Sequence, residues 1–254
     1  MYKVEELKAV LKEKGFKVSG KKQELINRLV ESVPENELNE YFPRRLYVLT
    51  GEGKEAIKHE EYVLYAHRHN YDGINIYTLN RMLDGYTDSY RDRIWEYLNG
   101  LCIEYMSQNH FGLYRNVKSQ MAEFLIEESK YQTALSQLIE VVYWDTSGLG
   151  NGELNIEIAG PFWFPYEETI ANTAPGIIKR IIDCKTTLGM NDEEFLKFAE
   201  EALEPLDAPF HIFTKKEIVD IIKLEIEQDT IQLSEVYDKA KIRLMHEYPS
   251  VSFE

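Results

Sequence analysis

Cysteine is nearly absent from this chain: Cys102 and Cys184 are the only two among 254 residues. They lie far apart and each falls in an apolar helical pattern. Two reduced core residues are therefore expected, rather than a disulfide framework or a redox pair. Long apolar runs are missing as well. None approaches the roughly 20 residues that span a bilayer, and the opening "MYKVEELKAV" is charged and amphipathic, unlike a signal peptide. The expectation is a cytoplasmic protein with no membrane segment.

Catalytic signatures are also lacking. There is no G-x-S-x-G and no Cys–His pair with local support. His67-x-His69, with His59 and Asp72 nearby, has no further Cys or His to complete a metal set. An i, i+2 pair converges on a strand face and diverges on a helix, so packed or interfacial histidines are expected. Gly148, Gly150 and Gly152 in "DTSGLGNGELN" fit only the first part of a nucleotide loop; no G-K-[ST] follows. A mobile loop is expected there. These absences argue against an enzyme, a metal and a cofactor. Of enzymatic alternatives, a nuclease built from scattered carboxylates is the one the abundant acids would allow.

Positive charge is scarce everywhere except at the start. Residues 1–30 hold eight Lys/Arg against four Glu, a net +4, while the remainder of the chain carries a net −19. Such asymmetry points to different partners for the two regions. The basic unit suits a polyanion, and the acidic remainder repels one. In "VEELKAVLKEKGF", Val4, Leu7, Val10, Leu11 and Phe16 fall near helical spacing, with Gly15 at the stop. The chain then runs extended through "FKVS". Ser19 is expected to cap a second helix whose apolar stripe is Leu25, Ile26 and Leu29. Gly20 permits close approach to that helix N-terminus, Lys21 and Lys22 stand beside it, and Arg28 lies two turns along. Free N–H groups, a partial positive charge and two lysines make a phosphate site. Gln23 and Asn27 are the weak candidates for base reading.

The stretch "ELKAVLKEKGFKVSGKKQELINRL" resembles the SAP domain, a small helix-extended-helix DNA-binding module. The resemblance rests on Leu7, Leu11, Lys12 and Gly15, then Ser19-Gly20-Lys21-Lys22, then Leu25-Ile26 and Arg28-Leu29. Phe16 stands where the family usually has leucine. The resemblance implies binding of double-stranded DNA, often AT-rich, through residues 1–45, and it says nothing of the rest.

Beyond it, "SVPENELNEYF" reads as a short helix with Ser32 as N-cap and Pro34 in its first turn. "LYVLTGEGKEAI" resembles the wing strand and following helix of winged-helix regulators. Arg44 and Arg45 either extend a DNA-facing surface or belong to an exposed linker. From about residue 74 the chain reads as consecutive helices. Val117, Met121, Phe124 and Leu125 form one stripe, and Ala134, Leu135, Leu138, Ile139 and Val142 another. With the turn near "ESKY" this pair resembles one tetratricopeptide-type hairpin, though no second copy recurs. The tyrosine-rich segment near residue 65 is read as packing rather than base stacking. Phe162, Trp163 and Phe164 between two prolines, with Tyr166 just after the second, form either a core wedge or a docking patch. Helices near 175–189, 192–204 and 214–247 close the chain. The last has a break near Asp229, and Thr214 to Glu217 has capping-box form.

The expected architecture is mainly α. Residues 1–45 form the SAP-like unit, 46–73 a short strand-containing, winged-helix-like linker, and 74–254 an α-helical bundle. The expected DNA contacts are Ser19, Gly20, Lys21, Lys22 and Arg28. The expected function is a DNA-binding adaptor or regulator whose acidic body binds a protein partner. The small acidic helical body behind such a unit resembles uncharacterised SAP-containing proteins of Gram-positive bacteria or their phages; alternatives are a phage or mobile-element structural or assembly protein that uses the SAP-like unit for protein contacts, and an acidic DNA mimic.

Overall fold

The computed structural model describes residues 2–43, 48–69 and 73–253. Its contacts divide the chain into two compact units, Met1–Glu61 and Tyr62–Glu254.

The first unit is built from α1 (Val4–Glu13), α2 (Lys22–Ser32), α3 (Glu35–Tyr41) and α4 (Gly51–His59). The apolar stripes of α1 and α2 face each other. Leu7, Val10, Leu11, Leu25, Leu29 and Val33 are buried together, flanked by Phe16, Ile26, Leu38 and Tyr41. Pro34, not Ser32, caps α3; Ser32 is the last residue of α2. Among the described residues there is no strand, so the strand-containing linker is corrected. Val48 is 82% exposed, and Thr50 caps α4 by accepting the Gly53 N–H at 3.1 Å. An apolar run without a partner ladder does not make a strand. Arg44, Arg45, Leu46, Tyr47 and Asp72 lie outside the described residues.

The second unit opens with α5 (Glu61–Arg68) and α6 (Ile76–Leu83). It continues through α7 (Tyr90–Ser107), α8 (Phe111–Glu127), α9 (Tyr131–Asp145), α10 (Ile156–Ala159), α11 (Pro175–Leu188), α12 (Asp192–Leu203), α13 (Lys215–Glu227) and α14 (Thr230–Glu247). Its boundary falls earlier than residue 74 because Tyr65 of α5 is buried among Ile74, Leu79, Ile94, Leu98 and Phe124. The α8–α9 hairpin turns through Ser129 at φ 58°. α9 is apolar around most of its circumference, and it packs against α8, α11, α12 and α13. α13 and α14 are separated by Gln228 in the left-handed region, with the Asp229 side chain accepting from Gln232 N–H at 3.0 Å.

Two sequence readings change here. The 148–152 segment is fastened: the Gly152 N–H donates to Asn109 O at 2.9 Å, and Asn151 Oδ1 accepts the Leu113 N–H at 3.0 Å. Gly148, at φ +81°, is pressed so close that a Cβ would meet Ile212 Cδ1 at 2.8 Å and the Trp163 ring at 2.9 Å. The aromatic cluster divides. Trp163 and Phe164 are core, Tyr166 is half-buried, and Phe162 faces solvent. Trp144 is buried in the same unit, stacked on Phe111 with ring centroids 5.3 Å apart.

Both cysteines are free, and burial pushes the Cys102 thiol up to about 11. His211 is held neutral by its surroundings. Its Nε2–H donates to Tyr143 O at 2.9 Å, its Nδ1 accepts the Phe213 N–H at 2.9 Å, and burial lowers its pKa to about 4. No described helix is long and apolar enough to cross a membrane.

Candidate nucleic-acid interface

The extended link between α1 and α2 is positioned at both ends by backbone chemistry. α1 ends in a Schellman arrangement: the Phe16 N–H donates to Leu11 O at 2.8 Å and the Gly15 N–H to Lys12 O at 3.1 Å, with Gly15 at φ +75°. Phe16 then drops into the core beside Leu11. At the far end Gly20 adopts φ +133°, a conformation that L side chains rarely take. This delays the helix start. The N-cap is Lys21 rather than Ser19, whose exposed side chain makes no capping bond. Glu24 reaches back to accept the Lys21 N–H at 3.1 Å. The next two N–H groups, of Lys22 and Gln23, find no acceptor among the described residues. They lie at the positive end of α2.

Arg28 is already engaged within the unit. Its Nη1 donates to Lys17 O at 2.5 Å and to Ser19 O at 3.2 Å. The guanidinium thus straps the link onto α2 and sets where Ser19, Gly20 and Lys21 lie. It is a positioning residue whose fork is partly occupied. No spacing rule reveals this, because the two carbonyls come into reach only when the link folds back.

The remaining cations of residues 1–30 separate cleanly. Lys14 is bound to Glu37 and lies over the Tyr41 ring at 5.3 Å. The Glu37 hydrogen bond holds its ammonium above the usual lysine range. Tyr41 donates to Glu13 at 2.5 Å, which pushes its own hydroxyl up. Lys3, Lys8, Lys12, Lys17, Lys21 and Lys22 form no ion pair among the described residues. All but Lys22, which is half-buried, are exposed. Three of the four acids here are engaged: Glu6 accepts the Lys3 N–H, Glu24 the Lys21 N–H, and Glu13 the Tyr41 hydroxyl. Gln23 and Asn27 bond to each other at 3.0 Å, so neither is held ready toward a base.

Of the five predicted contacts, Ser19, Gly20, Lys21 and Lys22 thus converge on the α2 N-terminus, and Arg28 lies behind them as a strap. The histidines near residue 67 form no comparable site. His67 is exposed on a helix, while His69 stacks on Tyr65 and meets Glu127 at 2.5 Å. No group of three or more His, Cys, Asp or Glu able to hold a metal occurs among the described residues. Neither the curated proteins nor the solved structures include a match to this chain. The family comparison does find one, and it falls on this unit: the SAP domain model matches residues 1–34.

Proposed function

We propose that the protein is a DNA-tethered adaptor of the cytoplasm. Residues 1–45 hold the backbone of double-stranded DNA, and the acidic helical body engages a protein partner. A SAP domain implies nucleic-acid binding, and the observation that carries the reading is the set of unpaired lysines around the α2 N-terminus. Lys21 and Lys22 stand at a helix start with two N–H donors left without an acceptor among the described residues, which together suit a phosphate oxygen. Lys17, held on the strapped link, supplies a third contact, while Arg28 sets the geometry. Nothing in this arrangement reads base edges, so the binding is expected to be weak in sequence preference. The net −19 of the remaining chain repels the polyanion and confines it to this end. The reading assigns the chain no catalytic step and no cofactor.

The test is DNA binding by the full chain across a range of salt. Three phosphate contacts give a slope of log K against log salt near −3, with a Kd on the order of 10⁻⁴–10⁻⁶ M at physiological salt. Lys21→Glu with Lys22→Glu should flatten that slope by about 2 and abolish binding at physiological salt. Its melting temperature should stay within the change that about 0.5 kcal/mol produces. A salt-independent affinity, or no binding at low salt, would sink the reading.

A further inference from the structure

From Tyr131 to Ile178 the chain carries no Lys or Arg. Within this stretch three large apolar side chains stand in solvent: Ile158 is 68% exposed, Phe162 57% and Ile170 65%. Ile158 and Phe162 are four residues apart on a continuous turn, α10 running directly into a 3₁₀ segment at Gly160–Phe162. The Ile170 N–H donates to Phe162 O at 2.9 Å, which fixes Ile170 beside them. The base beneath is firmly packed. Trp163 is fully buried and stacks on Phe210 at 5.3 Å, and Phe164 meets Tyr237 and Phe253 edge-on. Glu153, Glu157, Glu167 and Glu168 are all exposed in the same segments. None of them forms an ion pair among the described residues.

We propose that Ile158, Phe162 and Ile170, together with these four exposed carboxylates of the same segments, form the docking surface for a cationic amphipathic segment of a protein partner. The proposal rests on the adaptor reading and names its partner-binding face. An apolar centre with a charged rim is the ordinary anatomy of an interface. A preorganised aromatic on a rigid base loses little entropy when covered, which is what an anchor residue requires. Charge decides the occupant. Unpaired carboxylates in a cation-free stretch attract Lys and Arg and repel acidic surfaces. Two copies of this patch placed face to face would confront like charges, so self-association through it is disfavoured. DNA is repelled for the same reason.

The test titrates the isotope-labelled full chain with a short Leu/Lys amphipathic helical peptide, and separately with its Leu/Glu counterpart. Amide shifts should cluster between residues 153 and 170 for the Leu/Lys peptide and be absent for the Leu/Glu peptide. Phe162→Ser and Ile170→Ser should each weaken binding by roughly tenfold. Glu157→Lys with Glu167→Lys should weaken it several-fold and remove its salt dependence. All are surface changes, and an unchanged melting temperature for any one of them keeps the test valid. Shifts centred elsewhere, undiminished binding by the variants, equal binding of both peptides, or a wild-type dimer that Phe162→Ser dissolves would each overturn the proposal. DNA gel shifts of the same proteins separate the two readings. Peptide binding as expected without DNA binding removes the adaptor reading and leaves the docking surface, and DNA binding without peptide docking does the reverse.

Discussion

The two units use charge in opposite ways. At the start of the first, within residues 1–30, three of the four acids are engaged locally, on helix ends and a tyrosine, and six lysines form no ion pair among the described residues. In the second, cations are scarce and mostly engaged. Arg115 grips Asp145 through two bonds of 2.5 and 2.8 Å, Lys118 meets buried Glu140 at 2.8 Å, and Arg243 holds Glu217 at 2.7 Å. Arg91 lies over the Phe124 ring at 4.2 Å while bonding Glu128 at 2.8 Å. Net charge alone would describe both as charged helical bundles. Which charges are already satisfied separates them: lysines of residues 1–30 are left unpaired, whereas the cations of the second unit are mostly engaged.

The sharpest way to break this comparison is to destroy one unit and watch the other. Leu25 is fully buried in the small core between α1 and α2. Leu25→Ala should cost about 2–5 kcal/mol, more than so small a core can lose. Calorimetry should then show the first unit unfolded, DNA binding gone, and the melting of the second unit unchanged. A single transition that moves as a whole would show that the units are not independent.

A second test acts on the larger unit, to which His211 belongs. The folded pKa of His211, about 4, lies below its ordinary 6.5. The unfolded chain therefore takes up a proton first as pH falls. Stability from this residue is complete above about pH 6.5 and is lost as pH drops toward 4, by on the order of 3 kcal/mol. Burial raises Asp145 and Glu225, which act in the opposite sense. The measurement is accordingly the difference in denaturant midpoint between wild type and His211→Gln from pH 8 to 4. That difference should shrink as pH falls, and a constant difference would contradict the neutral histidine.

A smaller effect separates two glycines. At Gly148 an added Cβ meets a tryptophan ring and an isoleucine methyl. At Gly20 it meets only Glu24 Oε2, at 2.5 Å, the mobile end of a side chain. Both have positive φ. Gly148→Ala should destabilise its unit by about 1–3 kcal/mol, and Gly20→Ala its own by about 1 kcal/mol. Thermal melts of the two variants should preserve that order.

How far the sequence could be read follows from the range of the forces involved. Periodic stripes such as 134/135/138/139/142 located α9, because helical spacing is local. Thr214 and Glu217 formed the capping box that their spacing implied, with the Thr214 N–H to Glu217 Oε2 distance at 2.7 Å. The same reasoning failed at Ser19. Residue type suggested a cap there, but the Gly20 backbone carried the extended conformation two residues further. Arg28 was legible as a cation and not as a strap, since its acceptors are nine and eleven residues away. The strand expected within the 46–73 linker rested on a resemblance to a winged-helix wing, and a ladder needs a partner that such a local likeness cannot supply. The aromatic cluster was ambiguous because its residues point opposite ways, and only packing shows which of them are covered.

Trp95, Trp144 and Trp163 are the three tryptophans of the chain, and all of them belong to the second unit. Trp144 and Trp163 are removed from water. Intrinsic tryptophan emission is therefore a private signal of the second unit, blue-shifted when that unit is folded and silent about the first, whose optical reporters are tyrosines such as Tyr2 and Tyr41. Emission that changes when DNA is added would be evidence that binding at one end is felt at the other, obtained without attaching any label.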